Sequence, residues 1–192
     1  VRLRIGGPAR EIAHLRSSLF SRCHEPPGPR PDAEIRFEVD GGTYRVWVAG
    51  NSIADKSGEP VFESDDRSDF FWGLDNELFR KSLKKPSHLI QIHGGAVEKG
   101  GKATLFLGDS YAGKSTMTLH LIRRGYRFLS DEVILIDPKT LKVGPFHRNL
   151  LVRQGAIDGD PILQKYCRGN WHYEDYGRET KWLIDPAKVG NP

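Results

Sequence analysis

The chain has 192 residues, 38% of them hydrophobic and 28% charged, with a net charge of +4 at neutral pH. That length suits one domain or a domain with a smaller appendage, and a chain of this size buries enough surface to fold without disulfide staples. The composition excludes a disordered chain, the basic excess is too diffuse to argue for nucleic acid, and no apolar run approaches the roughly 18–20 residues that span a membrane.

In chain order, "RLRI" reads as a strand. "PAREIAHLRSSLF" places Ile12, Leu15 and Leu19 at helical spacing with Pro8 at the first turn. Cys23 opens a proline-rich loop. "EIRFEVDGGTYRVWVAG" alternates Ile35, Phe37 and Val39, then Tyr44, Val46 and Val48, around Asp40-Gly41-Gly42, which predicts a hairpin. After an acidic loop, "SDFFWGLDNELFRKSLKK" sets Phe71, Leu74 and Leu78 on one helical face, with Ser68 or Asp69 as N-cap. Residues 1–85 therefore read as a small α+β unit, a scaffold or partner surface without a site of its own.

Pro86 marks a change of composition, and residues 86–192 read as the catalytic domain. "SHLIQIHGGAVEKGGKATLFLGDS" predicts two apolar strands joined through Lys99-Gly100-Gly101-Lys102, the second ending in Leu105-Phe106-Leu107 as a buried strand. "STMTLHLIRRG" is a helix closed by basic residues and Gly125. "YRFLS" is a further strand, and "VILIDPKTLKVG" a hairpin turning at Asp137-Pro138. Strand, glycine loop, helix and strand in that order predict an α/β core with a mixed, partly antiparallel sheet. The remaining cysteine, Cys167, is distant from Cys23 and neither has a C-x-x-C partner, so both read as free thiols of a reducing cytoplasm.

The chemistry concentrates in "GDSYAGKST", Gly108 to Thr116, which fits G-x-x-x-x-G-K-[ST]. Placed between a strand and a helix, the backbone N–H groups of Gly108, Asp109, Ser110, Tyr111, Ala112, Gly113, Lys114, Ser115 and Thr116 converge on phosphate oxygens at the positive end of the helix dipole. Lys114 bridges the outer phosphates and the Ser115 hydroxyl is a ligand for Mg²⁺. Asp131 and Glu132 follow the next strand. Adjacent side chains on an extended chain face opposite ways, so one is expected to hold metal and the other to accept a proton from an incoming hydroxyl. His93, before Gly94-Gly95, reads from composition alone as a turn cap near the glycine loop. Arg148 and Arg153 flank "NLL" and read as a solvated strand edge. The aromatics of "NWHYEDYGRETKW" read as packing onto the core, and Arg178 within that stretch is a weaker candidate phosphate clamp. His120 is expected at the surface.

The stretch "HGGAVEKGGKATLFLGDSYAGKSTMTLHLIRRGYRFLSDEVILID" resembles the catalytic core of the HPr kinase/phosphorylases and their HPr-kinase-like relatives. His-Gly before a strand, G-D-S-x-x-G-K-S, a helix ending in R-x-G and a strand ending in two acidic residues all stand in order over residues 93–137. The likeness extends more loosely to "VGPFHRNLLVR". It implies a P-loop, HPr-kinase-like fold and a serine or hydroxyl kinase using ATP and Mg²⁺. Asp131 would be the general base, His93 a neighbour of the phosphates, and Glu132 a metal-binding residue standing where the family usually has a second aspartate. The family's E-[IV]-R-G-x-G signature is absent. The implied acceptor is a serine of a peptide or protein, such as an HPr-like protein or a ribosomal precursor peptide of the lasso type; a serine-like metabolite is the alternative, and a nucleotide-dependent switch without transfer a third reading. Neither nucleic acid nor a membrane is an expected partner, a homo-oligomer is compatible with the resemblance, and the expected location is cytoplasmic.

Overall fold

The computed structural model describes residues 3–18, 31, 33–49, 59–84, 86–146, 148–168, 172–174 and 179–189. Leu19, Cys23, most of the proline-rich and acidic loops, Trp171 and Arg178 lie outside the described residues. Among the described residues the chain is mixed α/β with four small sheets. Among the described residues no helix is long and apolar enough to cross a membrane.

β1 (Leu3–Gly6) runs parallel to β2 (Ala33–Asp40), with α1 (Ala9–Ser18) between them in sequence. β2 pairs antiparallel with β3 (Thr43–Ala49), and β3 with β4 (Phe62–Ser64). The β2–β3 turn sits on Gly41 and Gly42 at φ 57° and 94°, between the paired residues Asp40 and Thr43. Two successive left-handed residues match the twist of a tight hairpin, and glycine adopts them without strain. The period of two sends Ile35, Phe37 and Val46 inward, where Leu15 of α1 and Phe70, Phe71, Leu74 and Leu78 of α2 (Arg67–Lys84) close over them. The α2 N-cap is Asp66, one turn end earlier than the expected Ser68 or Asp69: its Oδ1 accepts from the Asp69 N–H at 2.9 Å.

β5 (Ile90–His93) and β6 (Gly95–Lys99) follow, separated only by Gly94. They enter different sheets. β6 lies between β7 (Lys102–Phe106) and β8 (Arg127–Ser130), while β9 (Val133–Ile136) lies between β5 and β10 (Val143–Gly144). All these pairings are antiparallel. Both β7 and β8 oppose β6, so they run parallel to each other, joined by the glycine loop and α3 (Lys114–Ile122). Gly125 closes α3 at φ 79°, and the Tyr126 N–H returns to the Leu121 carbonyl. Thr118, Leu119 and Ile122 form its buried face. The expectation of a buried Leu105–Leu107 fails: β7 is an edge strand, and Leu107 is 59% exposed.

β11 (Leu150–Arg153) leads into α4 (Gln154–Asp158) and α5 (Pro161–Cys167), which Asp160 caps by accepting from Ile162 and Leu163. β12 (His172–Glu174), β13 (Thr180–Ile184) and α6 (Pro186–Val189) complete the chain, with β13 between β11 and β12. One face of β11 and β13 (Leu150, Val152, Ile184) packs with α3, while Leu183 belongs to the core of the first sheet. Cys167 is a buried free thiol.

Two chain crossings sit side by side. β5 passes to β6 at Gly94, and β8 passes to β9 at Asp131–Glu132, where the Gly94 N–H donates to the Glu132 carbonyl at 3.2 Å. A Cβ at Gly94 would lie 2.6 Å from the Phe106 carbonyl oxygen and 2.9 Å from Ile134 Cδ1. Backbone cannot swing aside as a flexible side chain can, so Gly94→Ala is expected to destabilise the fold by about 1–3 kcal/mol. Gly155→Ala, whose Cβ would meet nothing within 4 Å, is expected to be neutral or stabilising by up to about 1 kcal/mol because it lies in α4. Denaturant unfolding of the two variants checks the contrast.

Candidate active site

The glycine loop leaves the end of β7 and turns into α3 through left-handed residues: Gly108 at φ 150°, Tyr111 at 69° and Gly113 at 81°. Ala112 N–H closes a turn onto the Asp109 carbonyl at 3.2 Å. The space beside Gly113 is open, since a Cβ there would meet nothing within 4 Å. Lys114 folds back over the loop and its Nζ donates to the Gly108 and Asp109 carbonyls, each at 2.8 Å. The ammonium therefore sits over the loop mouth, bonded to backbone oxygens.

Opposite the loop stands the β8–β9 corner. Asp131 is 7% exposed, it lies beside the Ser115 side chain, and its Oδ1 makes no hydrogen bond among the described residues. Burial pushes its carboxyl up to about 7 from the ordinary aspartate value of 3.8. The neighbouring Ser115 hydroxyl opposes the rise, the Glu132 carboxylate adds to it, and Arg148 and Lys114 hold it down. Gly95 makes this approach possible, because a Cβ there would fall 2.5 Å from Thr118 Oγ1 and 3.7 Å from Asp131 Oδ1.

Glu132 turns the other way. Its backbone carbonyl accepts from the His93 Nδ1 at 3.0 Å, as well as from the Gly94 N–H. A carbonyl only accepts, so the Nδ1 of His93 carries the proton. The Glu132 carboxylate lies 3.8 Å from His93 Nδ1 and 3.5 Å from Arg148 Nη1. Arg148 is itself buried, forked onto Asp75 of α2 through Nε and Nη2 and lying 5.3 Å from the Phe79 ring centroid. A line of charge thus runs from Asp75, at 0% exposure, through Arg148 to Glu132 and His93.

These groups share a pocket of about 420 Å³. Its floor is Ser110–Thr116 with Asp131, Glu132 and His93. Its far wall is Trp72 of α2, Arg153 of β11 and Glu179 and Lys181 at β13. All the expected site residues from Ser110 to Thr116, with His93, Asp131 and Glu132, come together there; Gly108 and Asp109 lie outside the lining and hold the Lys114 ammonium. His120 is exposed, as expected.

No family model matches the chain, and no solved structure matches it. Curated relatives do match. Over 84 residues it is 32% identical to an HPr kinase/phosphorylase of Lachnoclostridium phytofermentans, covering 44% of this chain and 26% of the relative. Over 86 residues it is 33% identical to one of Geobacter sulfurreducens, covering 45% and 26%. Over 89 residues it is 32% identical to one of Lactobacillus acidophilus, covering 46% and 27%. The chain is related to the HPr kinase/phosphorylases. Its matched segments thus span 26–27% of the length of these relatives.

An HPr-kinase-like relative would use ATP and Mg²⁺, and the residues present suit both. Loop amides with left-handed backbone and an open mouth fit phosphate oxygens. Ser115, Asp131 and Glu132 offer the hard oxygen donors that Mg²⁺ takes, and the orphaned, buried Asp131 Oδ1 faces that cluster without a partner. Among the described residues no three His, Cys, Asp or Glu side chains are grouped so as to hold a metal ion.

Two arginines overturn the expectation of a solvated strand edge. Arg148 is buried on Asp75, and Arg153 bonds to the glycine loop. The signal for Arg148 was the strand period: it falls on the same parity as buried Leu150 and Val152. Asp75 likewise shares the helical stripe of Phe71, Leu74 and Leu78. Trp72, Glu179 and Lys181 carried no sequence signal, since only tertiary packing brings them to the loop.

The raised carboxyl of Asp131 has a stability consequence. The folded state keeps this proton up to about pH 7 while the unfolded chain loses it near 3.8, so the folded state binds more protons across that window and stability falls as pH rises through it. Asp131→Asn abolishes this titration. The variant is expected to match the parent in stability near pH 4 and to exceed it by a few kcal/mol, on the order of one to three, at pH 8; parallel melts at the two pH values check the widening gap.

Proposed function

We propose that this chain forms the nucleotide-handling site of a cytoplasmic phosphotransferase, built on a P-loop core, that moves the γ-phosphate of ATP with Mg²⁺ to a hydroxyl, the acceptor being a serine of a peptide or protein. The observation that carries the proposal is Asp131. It is a buried carboxyl with one oxygen unpartnered among the described residues, in the same pocket as Lys114 and Ser115, which supports reading it as the base.

In this reading the amides of residues 108–116 hold the donor and Lys114 leaves its two carbonyls for the outer phosphate oxygens. Ser115 and Glu132 are the oxygen ligands offered to the metal. Bound Mg²⁺ neutralises charge on the transferring phosphoryl group. Asp131 takes the proton of the acceptor hydroxyl; a carboxyl near 7 is well matched to that task at neutral pH. His93, held by the Glu132 carbonyl, lines the same pocket and neighbours the phosphates. The relationship to proteins named HPr kinase/phosphorylase supports the reaction class and a protein acceptor.

Asp131→Asn is expected to bind ATP within about twofold of the parent while losing transfer by about 10²–10⁴-fold, read with γ-labelled ATP, Mg²⁺ and a panel of serine peptides and serine-like metabolites. Transfer at the parental rate would falsify the base assignment, and turnover of the metabolites alone would overturn the peptide acceptor. Lys114→Ala is expected to lose nucleotide affinity by tenfold or more, about what one charge-assisted phosphate contact contributes; unchanged binding by calorimetry would remove the loop from the donor site.

A further inference from the structure

Arg153 makes three contacts that neither a strand edge nor a simple surface ion pair requires. Its Nη2 donates to Ser110 Oγ at 3.0 Å, its Nη1 pairs with the Glu179 carboxylate at 3.0 Å, and the guanidinium carbon lies 3.6 Å from the Tyr111 ring centroid. Ser110 and Tyr111 are the third and fourth residues of the glycine loop, next to Asp109, whose carbonyl holds Lys114. Two cations thus grip adjacent residues of one loop, Lys114 from within and Arg153 from the far wall of the pocket.

The grip is electrostatically provisional. Among the described residues Arg153 pairs with one carboxylate, Glu179, that also lines the pocket. On the opposite side of the pocket, Glu132 lies 3.5 Å from Arg148 Nη1 and so has a neighbouring cation of its own. A planar guanidinium with five N–H donors is built for fork-like bonding to phosphate oxygens, and stacking on Tyr111 fixes its plane without using those donors. An anion arriving at the loop mouth competes directly with Glu179 for it, and the competition grows with the anion's charge.

We propose that Arg153 is a second phosphate-binding cation of the glycine loop, held in reserve by Glu179 and engaged by the terminal phosphate of a triphosphate donor. The proposal rests on the reading of the loop as a nucleotide site and adds the residue that distinguishes triphosphate from diphosphate. Tyr111, in left-handed backbone and 78% exposed, is the platform that orients it.

Calorimetric affinities of the full 192-residue chain for Mg-ATP and Mg-ADP test this in the parent, Arg153→Gln, Arg153→Lys and Glu179→Gln. Arg153→Gln is expected to weaken ATP by about tenfold and ADP by less than about twofold, the loss of one charge-assisted bond. Arg153→Lys, which keeps the charge but not the fork, is expected to fall between. Glu179→Gln, which removes only the counter-ion, is expected to tighten ATP by about threefold or more. Equal weakening of both nucleotides by Arg153→Gln would make the arginine a loop brace and overturn the proposal, as would no effect on either. Should Arg153→Gln fail to fold, Glu179→Gln decides: ATP binding unchanged or weakened overturns it. A parent that binds neither nucleotide sinks the nucleotide-site reading itself, and this inference with it.

Discussion

The peptide contact between Gly94 and Glu132 is the constraint on which the site depends. At that point two strands leave one sheet for another, and the chain has room to do so only because Gly94 lacks the Cβ that would strike the Phe106 carbonyl. The same few ångströms position everything else. Phe106 is the residue before the glycine loop's approach, His93 precedes the crossing, and Asp131 and Glu132 form the other crossing. Gly95 repeats the device one residue on, letting Thr118 of α3 and the Asp131 carboxyl close against the backbone of β6. The His-Gly-Gly of the sequence is a packing requirement as much as a chemical one.

A second constraint ties the first 84 residues to this corner. Arg148 is a buried cation whose desolvation is offset by two carboxylates, Asp75 from α2 and Glu132 from the site. Buried ion pairs contribute little net stability when intact, and removing one partner strands the other at a cost of several kcal/mol. Their effect here is placement. Glu132 lies beside Arg148 and His93 while Asp131 is enclosed with one oxygen unpartnered among the described residues, so the two acids stand in different environments. Environments that push neighbouring carboxyls apart are how one site assigns them different work.

The cations around the loop are hydrogen-bonded to protein oxygens. Lys114 is bonded to the carbonyls of the loop it belongs to, and Arg153 to a serine of that loop and a glutamate across from it. Both cations are thereby kept hydrogen-bonded and near their place, so that binding an anion exchanges partners instead of ordering long side chains from solution. Less conformational entropy is then lost on binding. Trp72 and Lys181, with the ammonium 4.9 Å from the indole centroid, complete the wall that faces the loop.

Much of this was legible in the residues alone. The hairpin at Gly41-Gly42, the α2 stripe, the glycine loop between strand and helix, the Gly125 cap and the acidic pair after β8 follow from local rules: a period of two or 3.6, left-handed glycines and helix capping, each satisfied within a few neighbouring residues. Those rules act over short separations and say nothing of which side chains meet. That β7 would be an edge strand with Leu107 exposed, that Arg148 would reach Asp75 across 73 positions, and that Arg153, Glu179 and Trp72 would wall the pocket, were decided by tertiary packing. The sequence by itself determined where the glycine loop and its helix terminus stand, because turns and caps are local; the tertiary structure decided which charges surround them, because a buried charge takes whichever partner the folded chain brings within reach.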